Sequence, residues 1–344
     1  MTLSISTPEQ IQKSIASRAF VPNIYLTNLL ISYFQDPADY GATRLFPVVP
    51  VDLSAAHYYV FDKASLARDD MQRKPAFGKV APTVYDQSED TYSCKVEQII
   101  LGLDQLSAQN YTRAGAPGVI DPRRGKIEVM NEKINIHLDN LFAKKYFKSG
   151  VWDNELTGVS ATPGDKQFIQ FDNANSDPIT LFDELKTKIK REGRRAPNKL
   201  GLGVKTYDAL KNHPMILERV KYSGSSTNPA KINEKVLAEL FGLKEVVVLS
   251  STYNAAKEGQ PANMQYICEE DGALLLYAPD APTIDTPSAG YIFAWDILGG
   301  GQFAAVSTWE GENGTHSEFI EGLMANDMKI TCQDLACYLT KCVG

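Results

Sequence analysis

The sequence predicts an α+β fold, on three observations. A helix-period apolar stripe runs through Arg123 to Phe147. Two runs rich in Val, Tyr and Phe, Val48 to Phe61 and Thr83 to Leu101, have strand character. Between Lys199 and Ser250 a strand, three helices and a second strand follow one another closely.

Residues 1–47 read as an extended arm with one helical piece. Tyr25, Leu26, Leu29, Leu30 and Phe34 recur at helical spacing before Asp36-Pro37 breaks it. A helix in the local core and an arm packed on a neighbour both fit. Residues 48–101 read as one long hairpin. Its tip carries Lys63, Arg68, Asp69, Asp70, Arg73, Lys74 and Lys79. An isolated two-stranded hairpin is marginal in water. This one therefore leans either on its own domain or on a second copy, and those seven residues are the candidate inter-subunit contacts.

Residues 102–193 contain the clearest helix, Arg123 to Phe147, which at ~1.5 Å per residue spans roughly 35 Å. Ile127, Met130, Ile134, Leu138, Leu141 and Phe142 form its apolar stripe. Lys126, Glu128, Lys133, Asp139 and Lys144 form a face expected to be solvated, and His137 reads as a structural histidine. A second helix opens at Asp177-Pro178, where Asp can cap free amides and Pro suits the first position. Leu181, Phe182, Leu185 and Ile189 are its stripe, and Gly193 is placed to close it.

In residues 194–294, Lys199 to Val204 reads as a strand. Helices follow at about Thr206 to Lys211, Pro214 to Val220 and Asn233 to Phe241, the last stopped by Gly242. Glu245 to Ser250 is a buried-type strand. Met264 to Cys268 and Ala273 to Tyr277 suggest a hairpin across Asp271-Gly272. Residues 295–344 alternate strands and turns, with turn signals at Glu312-Asn313-Gly314 and Ala325-Asn326-Asp327.

The 344 residues suffice for one large domain or two to three small ones, and the net charge of −7 argues against a dedicated nucleic-acid binder. An acidic wall is nevertheless compatible with enclosing DNA, because it leaves the phosphates free to pack. No apolar run reaches membrane-spanning length and no secretory signal opens the chain, so a cytoplasm-like compartment is expected. Cys94, Cys268, Cys332, Cys337 and Cys342 are odd in number and scattered, which suggests buried or incidental thiols before metal ligands.

The search for chemistry returns no constellation. His57, His137, His213 and His316 have no metal-type spacing. Gly201-Leu202-Gly203 lacks the third glycine of a dinucleotide loop, and Lys205-Thr206 lacks the spacing of a phosphate loop. Gly299-Gly300-Gly301 reads as a loop. Glu269-Glu270-Asp271 reads as a solvated turn with at most weak cation affinity. No catalytic residue, cofactor or metal is expected.

The order of segments does carry a resemblance. Arg194-Arg195-Ala196-Pro197-Asn198-Lys199-Leu200, Tyr207 to Leu210, Asn212-His213-Pro214, Leu237 to Val248, Tyr253-Asn254 and Trp295 together resemble the major capsid proteins of tailed bacteriophages, with the HK97-like fold, nearest the branch of lambda-type shell proteins. The resemblance is specific from about Asp177 to Trp295. It implies an N-terminal arm (1–47), an extended hairpin loop lying over a neighbouring subunit (48–101), and a peripheral domain with its spine helix (102–193, helix 123–147). It further implies an axial domain (194–294) and C-terminal strands returning to the peripheral domain (295–344). It also implies a non-enzymatic protein that self-assembles into hexamers and pentamers of an icosahedral virion capsid around double-stranded DNA. Assembly would take place in the host cytoplasm, with a portal, a separate scaffolding protein or none, and in some cases a decoration protein. The arm begins almost at once, so a fused and cleaved scaffold is not expected. Lys63, Lys74 and Lys79 could in principle donate to the lysine–asparagine bond some members form. Two rivals stay open: an encapsulin-type nanocompartment shell, and a cytoplasmic α/β enzyme with its site near Glu269, Glu270 and Asp271.

Overall fold

The structure is a computed structural model that describes residues 40–61, 67–74, 76–83, 87–106, 122–223, 232–283, 286–297 and 304–344. The expected helical piece at Tyr25 to Phe34, Lys63 and the Gly299-Gly300-Gly301 loop lie outside the described residues.

In chain order the elements are α1 (Ala42–Leu45), β1 (Val48–Val51), β2 (Ala55–Phe61), β3 (Gln87–Ser93), β4 (Lys95–Asp104), α2 (Pro122–Lys145), β5 (Glu155–Val159), β6 (Gln167–Ile169) and α3 (Pro178–Gly193). There follow β7 (Lys199–Gly203), α4 (Val204–Lys211), α5 (Pro214–Ser223), α6 (Glu234–Phe241), β8 (Glu245–Leu249), β9 (Thr252–Asn254), β10 (Met264–Tyr266), β11 (Ala273–Leu276), β12 (Gly290–Trp295), β13 (Ala304–Glu310), β14 (Ser317–Ile330) and β15 (Ala336–Thr340).

A five-stranded sheet is organised on β14. Strand β4 runs antiparallel along one edge of it, from Ser317↔Asp104 to Asn326↔Lys95. Strands β13 and β12 lie end to end along the other edge, and β1 adds to β12 in parallel. Ala325-Asn326-Asp327, expected as a turn, is therefore strand. Ala325 is fully buried, and pairing partners on both sides of Asn326 override the local turn preference of Asn-Asp. The turn at Glu312-Asn313-Gly314 does form, with Gly314 at φ 93°.

The expected hairpin of 48–101 is shorter than the two runs suggest. Only β2 and β3 pair as a two-stranded ribbon, from Ala55↔Ser93 to Phe61↔Gln87. The flanking runs are claimed by the sheet, because Val49 and Val51 of β1 are buried against β12 and β4 docks on β14. The base of the ribbon packs on the same sheet. Tyr92 stacks on Phe293 at 4.7 Å, and buried Tyr58 donates its hydroxyl to Asp90 at 2.7 Å.

A six-stranded sheet has the order β6-β5-β15-β11-β7-β8. Its period-2 pattern serves two cores. Leu200, Leu202, Val246, Leu275 and Leu339 face helices α3 to α6 through Phe182, Leu185, Ile189, Leu210, Ile216, Leu237 and Phe241. Val247, Leu249, Leu274, Leu276 and Tyr338 face the other way. They share one core with Ile292, Val306, Ile320 and Met324 of the five-stranded sheet and with Ile127, Met130, Ile134, Leu138 and Phe142 of α2. The long helix thus joins both sheets. Gly201 has a packing role here: a Cβ on it would sit 2.7 Å from Leu45 Cδ1, so its bare backbone makes room for the buried Leu45. That accounts for Gly201-Leu202 without any nucleotide loop.

Three further local expectations change. Met264 to Tyr266 pairs with β9 rather than with Ala273 to Leu276. The reason is burial: all four β11 residues are buried between β7 and β15, whereas the three of β10 are exposed. Helix α3 does take Asp177 as its cap, with the carboxylate accepting from Thr180 N at 3.1 Å. The left-handed residue that ends it is Arg194, at φ 61°, and not Gly193. Gly193 is instead the last helical residue, and a Cβ on it would sit 2.6 Å from Leu335 Cδ2 and 2.8 Å from the carbonyl oxygen of Asp334, so the glycine serves a close approach. Finally, Asp139 is not on a solvated face but is 1% exposed. Its carboxylate is held inside by hydrogen bonds that the helical period could not show.

Candidate inter-subunit surface

The β2–β3 ribbon carries the segment 67–83 at its far end. Arg68, Asp69, Asp70, Arg73, Lys74 and Lys79 are all exposed there. Among the described residues none of the six is in an ion pair. Asp69 accepts from the backbone of Met71 at 3.3 Å, a local turn contact. The structure therefore brings six of the seven expected contact residues together on one projection, and the seventh, Lys63, lies outside the described residues.

The large apolar residues of the same segment were missed by the sequence reading. Met71 is 92% exposed, Phe77 is fully exposed, and Val80 is also exposed. Phe77 has φ 61°, a conformation in which a bulky side chain is uncommon. Single exposed apolar residues are ordinary, but three exposed on one segment suit an anchor for a partner. The available signal was the placement of Met and Phe inside an otherwise polar, charged stretch.

Residues that could have carried chemistry are engaged structurally. Glu269 accepts the Tyr338 hydroxyl at 2.7 Å, and burial pushes that phenol far above its usual range. Glu270 pairs with Lys205 at 3.1 Å, and its carbonyl takes the amides of Lys205 and Thr206. His213 and Ser176 approach to 2.9 Å and are both buried. His213 Nδ1, however, accepts from Met215 N at 3.3 Å, so a neutral ring carries its proton on Nε2 and donates toward Ser176. A base for a serine nucleophile needs the opposite tautomer. His137 Nε2 lies 2.8 Å from Glu97 Oε2. Among the described residues no group of three or more His, Cys, Asp or Glu is placed to hold a metal. Among the described residues no helix is long and apolar enough to cross a membrane.

No family model matches the chain. In sequence it is 24% identical over 239 residues to the major capsid protein of Burkholderia phage BcepMu, covering 68% of this chain and 70% of that one. In structure it matches a phage-related protein from Bordetella bronchiseptica RB50 with a TM-score of 0.70 at 20% identity, over 94% of this chain and 98% of the other. It also matches the capsid structure of cyanophage P-SCSP1u with a TM-score of 0.50 at 8% identity, over 86% of each. This is the HK97-like capsid fold.

Proposed function

We propose that the protein is the structural subunit of an icosahedral shell, the major capsid protein of a tailed phage, whose copies assemble into hexamers and pentamers around double-stranded DNA. The observation that carries this reading is the sequence match to a phage major capsid protein over two thirds of the chain. The projecting loop supports it, since a shell subunit needs surface that a monomer leaves uncovered. In this reading 1–47 is an arm, 48–101 an extended loop over a neighbour, and α2 the spine of a peripheral part. Residues 194–294 approach the capsomer axis. A portal, a separate scaffolding protein and a decoration protein are the expected further partners, assembly takes place in the host cytoplasm, and the protein catalyses no reaction.

Negative-stain microscopy of the purified full-length protein, or of particles from cells expressing it with its neighbouring genes, tests the proposal. Closed shells of uniform diameter are expected. A small globular species under every condition would overturn it. Shells that hold an enzyme and no DNA in their native host would replace the phage reading with a nanocompartment.

A further inference from the structure

The net charge of −7 conceals one strongly basic stretch. Lys186 to Arg195 holds six cations, Lys186, Lys188, Lys190, Arg191, Arg194 and Arg195, against one acid, Glu192. A run this dense in an otherwise acidic chain has the composition of a polyanion contact. The fold uses the first of the six internally: Lys186 pairs with Asp183 at 2.7 Å and donates to the Phe241 carbonyl at 2.6 Å. Lys190, Arg191, Arg194 and Arg195 are exposed, because α3 turns Ile179, Phe182, Leu185 and Ile189 into the core and ends at this point.

The end of α2 arrives at the same place. Asn154, just past α2, donates to Glu192 at 3.3 Å, and the short turn Gln333–Leu335 bridges the two ends. Its Gln333 donates to the Val151 carbonyl at 3.2 Å, and its Leu335 lies close against Gly193. Three more exposed cations, Lys144, Lys145 and Lys148, stand at the α2 end. Among the described residues Lys144, Lys145, Lys148, Lys190 and Arg195 are in no ion pair, and Arg191 reaches Glu192 only at 3.8 Å. Of the acids at the junction, Glu155, Glu192 and Asp334 are half-buried and Asp153 is exposed. Cations in the last turn of a helix complement its dipole, which accounts for Lys144, Lys145, Lys190 and Arg191. Lys148, Arg194 and Arg195 lie beyond the last turn and outside that account. Helix C-termini present carbonyls rather than amides, so the junction suits a row of phosphates met by long side chains, not one anion held in a cradle.

We propose that this junction of the α2 and α3 ends is a contact surface for the phosphate backbone of double-stranded DNA, and that it faces the inside of the shell. This rests on the shell reading above. The contact is independent of base sequence and driven by counterion release, while the acidic remainder of the chain keeps the DNA from adhering elsewhere.

The test titrates a short mixed-sequence DNA duplex with full-length, unassembled protein and reads fluorescence anisotropy over a series of salt concentrations. One variant carries Lys190→Glu, Arg191→Glu and Arg195→Glu. A control with the same change in net charge carries Arg219→Glu, Lys235→Glu and Lys257→Glu, exposed cations on other elements. The wild type should bind at low salt. The junction variant should lose at least about tenfold in affinity, with the salt slope falling by about 0.9 for each phosphate contact removed, and the control should lose far less. No binding by the wild type at low salt, or equal losses in variant and control, overturns the contact. A junction variant that binds the duplex like the wild type but no longer closes shells assigns the surface to a neighbouring copy and also overturns it. A second arm needs no substitution. Lysine acetylation of particles before and after release of their DNA should show Lys144, Lys145, Lys148 and Lys190 gaining label when the DNA leaves. Equal labelling overturns the inward placement while leaving the shell reading intact, whereas absence of wild-type shells removes the shell reading itself.

Discussion

The Asp139 carboxylate accepts the Ser251 hydroxyl at 2.6 Å, and the same group accepts the amides of Ala42 at 2.9 Å and Gly41 at 3.3 Å. One side chain of the long helix α2 thereby fastens two other segments: the start of α1, where the chain enters the core, and the junction of β8 with β9. The amides it takes are the free donors at the start of α1, which carry partial positive charge. Burial pushes the Asp139 pKa above the usual carboxylate range, and the three hydrogen bonds pull it part of the way back.

Asp139→Leu leaves those three donors buried without an acceptor, and a stability loss of about 3 kcal/mol is expected in urea unfolding. Asp139→Asn keeps an acceptor and costs less. The pH dependence follows from the direction of the shift. A carboxyl whose folded pKa is raised contributes stability that is fully present below its unfolded pKa, about 4. That contribution is lost as pH rises through the raised folded value. The difference between wild type and Asp139→Asn should therefore move in favour of the variant as pH climbs from the acid side towards neutrality. A difference that stays constant with pH contradicts the raised pKa.

Gly201→Ala drives a methyl group into Leu45, which is fully buried, and should cost about 1–3 kcal/mol as overpacking. Leu45→Ala alone creates a cavity and costs about 2–5 kcal/mol. The two changes offset each other sterically, so the double variant should be more stable than the sum of the singles predicts. Additive losses in a thermal or urea double-mutant cycle would show that Gly201 serves something other than room for Leu45.

The cysteines divide by burial. Cys94, Cys268, Cys337 and Cys342 are buried free thiols, while Cys332 is half-buried. Burial pushes Cys94 up to about 11 and Cys337 up to about 12, and raises Cys268 and Cys342 as well. Thiolate is the reactive form. An aromatic disulfide reagent at pH 8 should therefore modify one thiol per native chain with measurable speed, identified as Cys332 by mass spectrometry, and all five after denaturation. Fast reaction of Cys337 or Cys342 in the native chain would contradict their burial.

What the sequence showed, and what it hid, follows from the range of the interactions involved. Helix α2 was legible because Ile127, Met130, Ile134, Leu138 and Phe142 repeat with the helical period and are all buried. The caps at Asp177, Asn233 and Gly242 were legible because each acts within one turn, although only the first and last were named from the residues. The pairing of β10 with β9 was not, since Asp271-Gly272 is a strong local hairpin signal and only the burial of Leu274 to Leu276 between β7 and β15 defeats it. Asp139 looked solvated because its partners are 97 and 112 residues away in sequence. The charged members of the loop were found by composition. Met71 and Phe77 were passed over because exposure is a property of the fold and no local pattern encodes it.

Deletion of Lys63 to Lys79 separates folding from assembly. The described residues of that segment are exposed almost throughout, so removing them withdraws little from any core. The ribbon below is held independently, by Tyr58 and Tyr92 against Phe293 and by the Tyr58–Asp90 hydrogen bond. The shortened chain should therefore unfold at nearly the wild-type temperature, within the few degrees expected of a change outside the core. In sedimentation velocity it should remain a small species under conditions where the wild type forms shells. A large fall in melting temperature would mean that the loop supports its own subunit. Normal particles would mean that the contacts between copies lie elsewhere, and the exposure of Met71 and Phe77 would then need another cause.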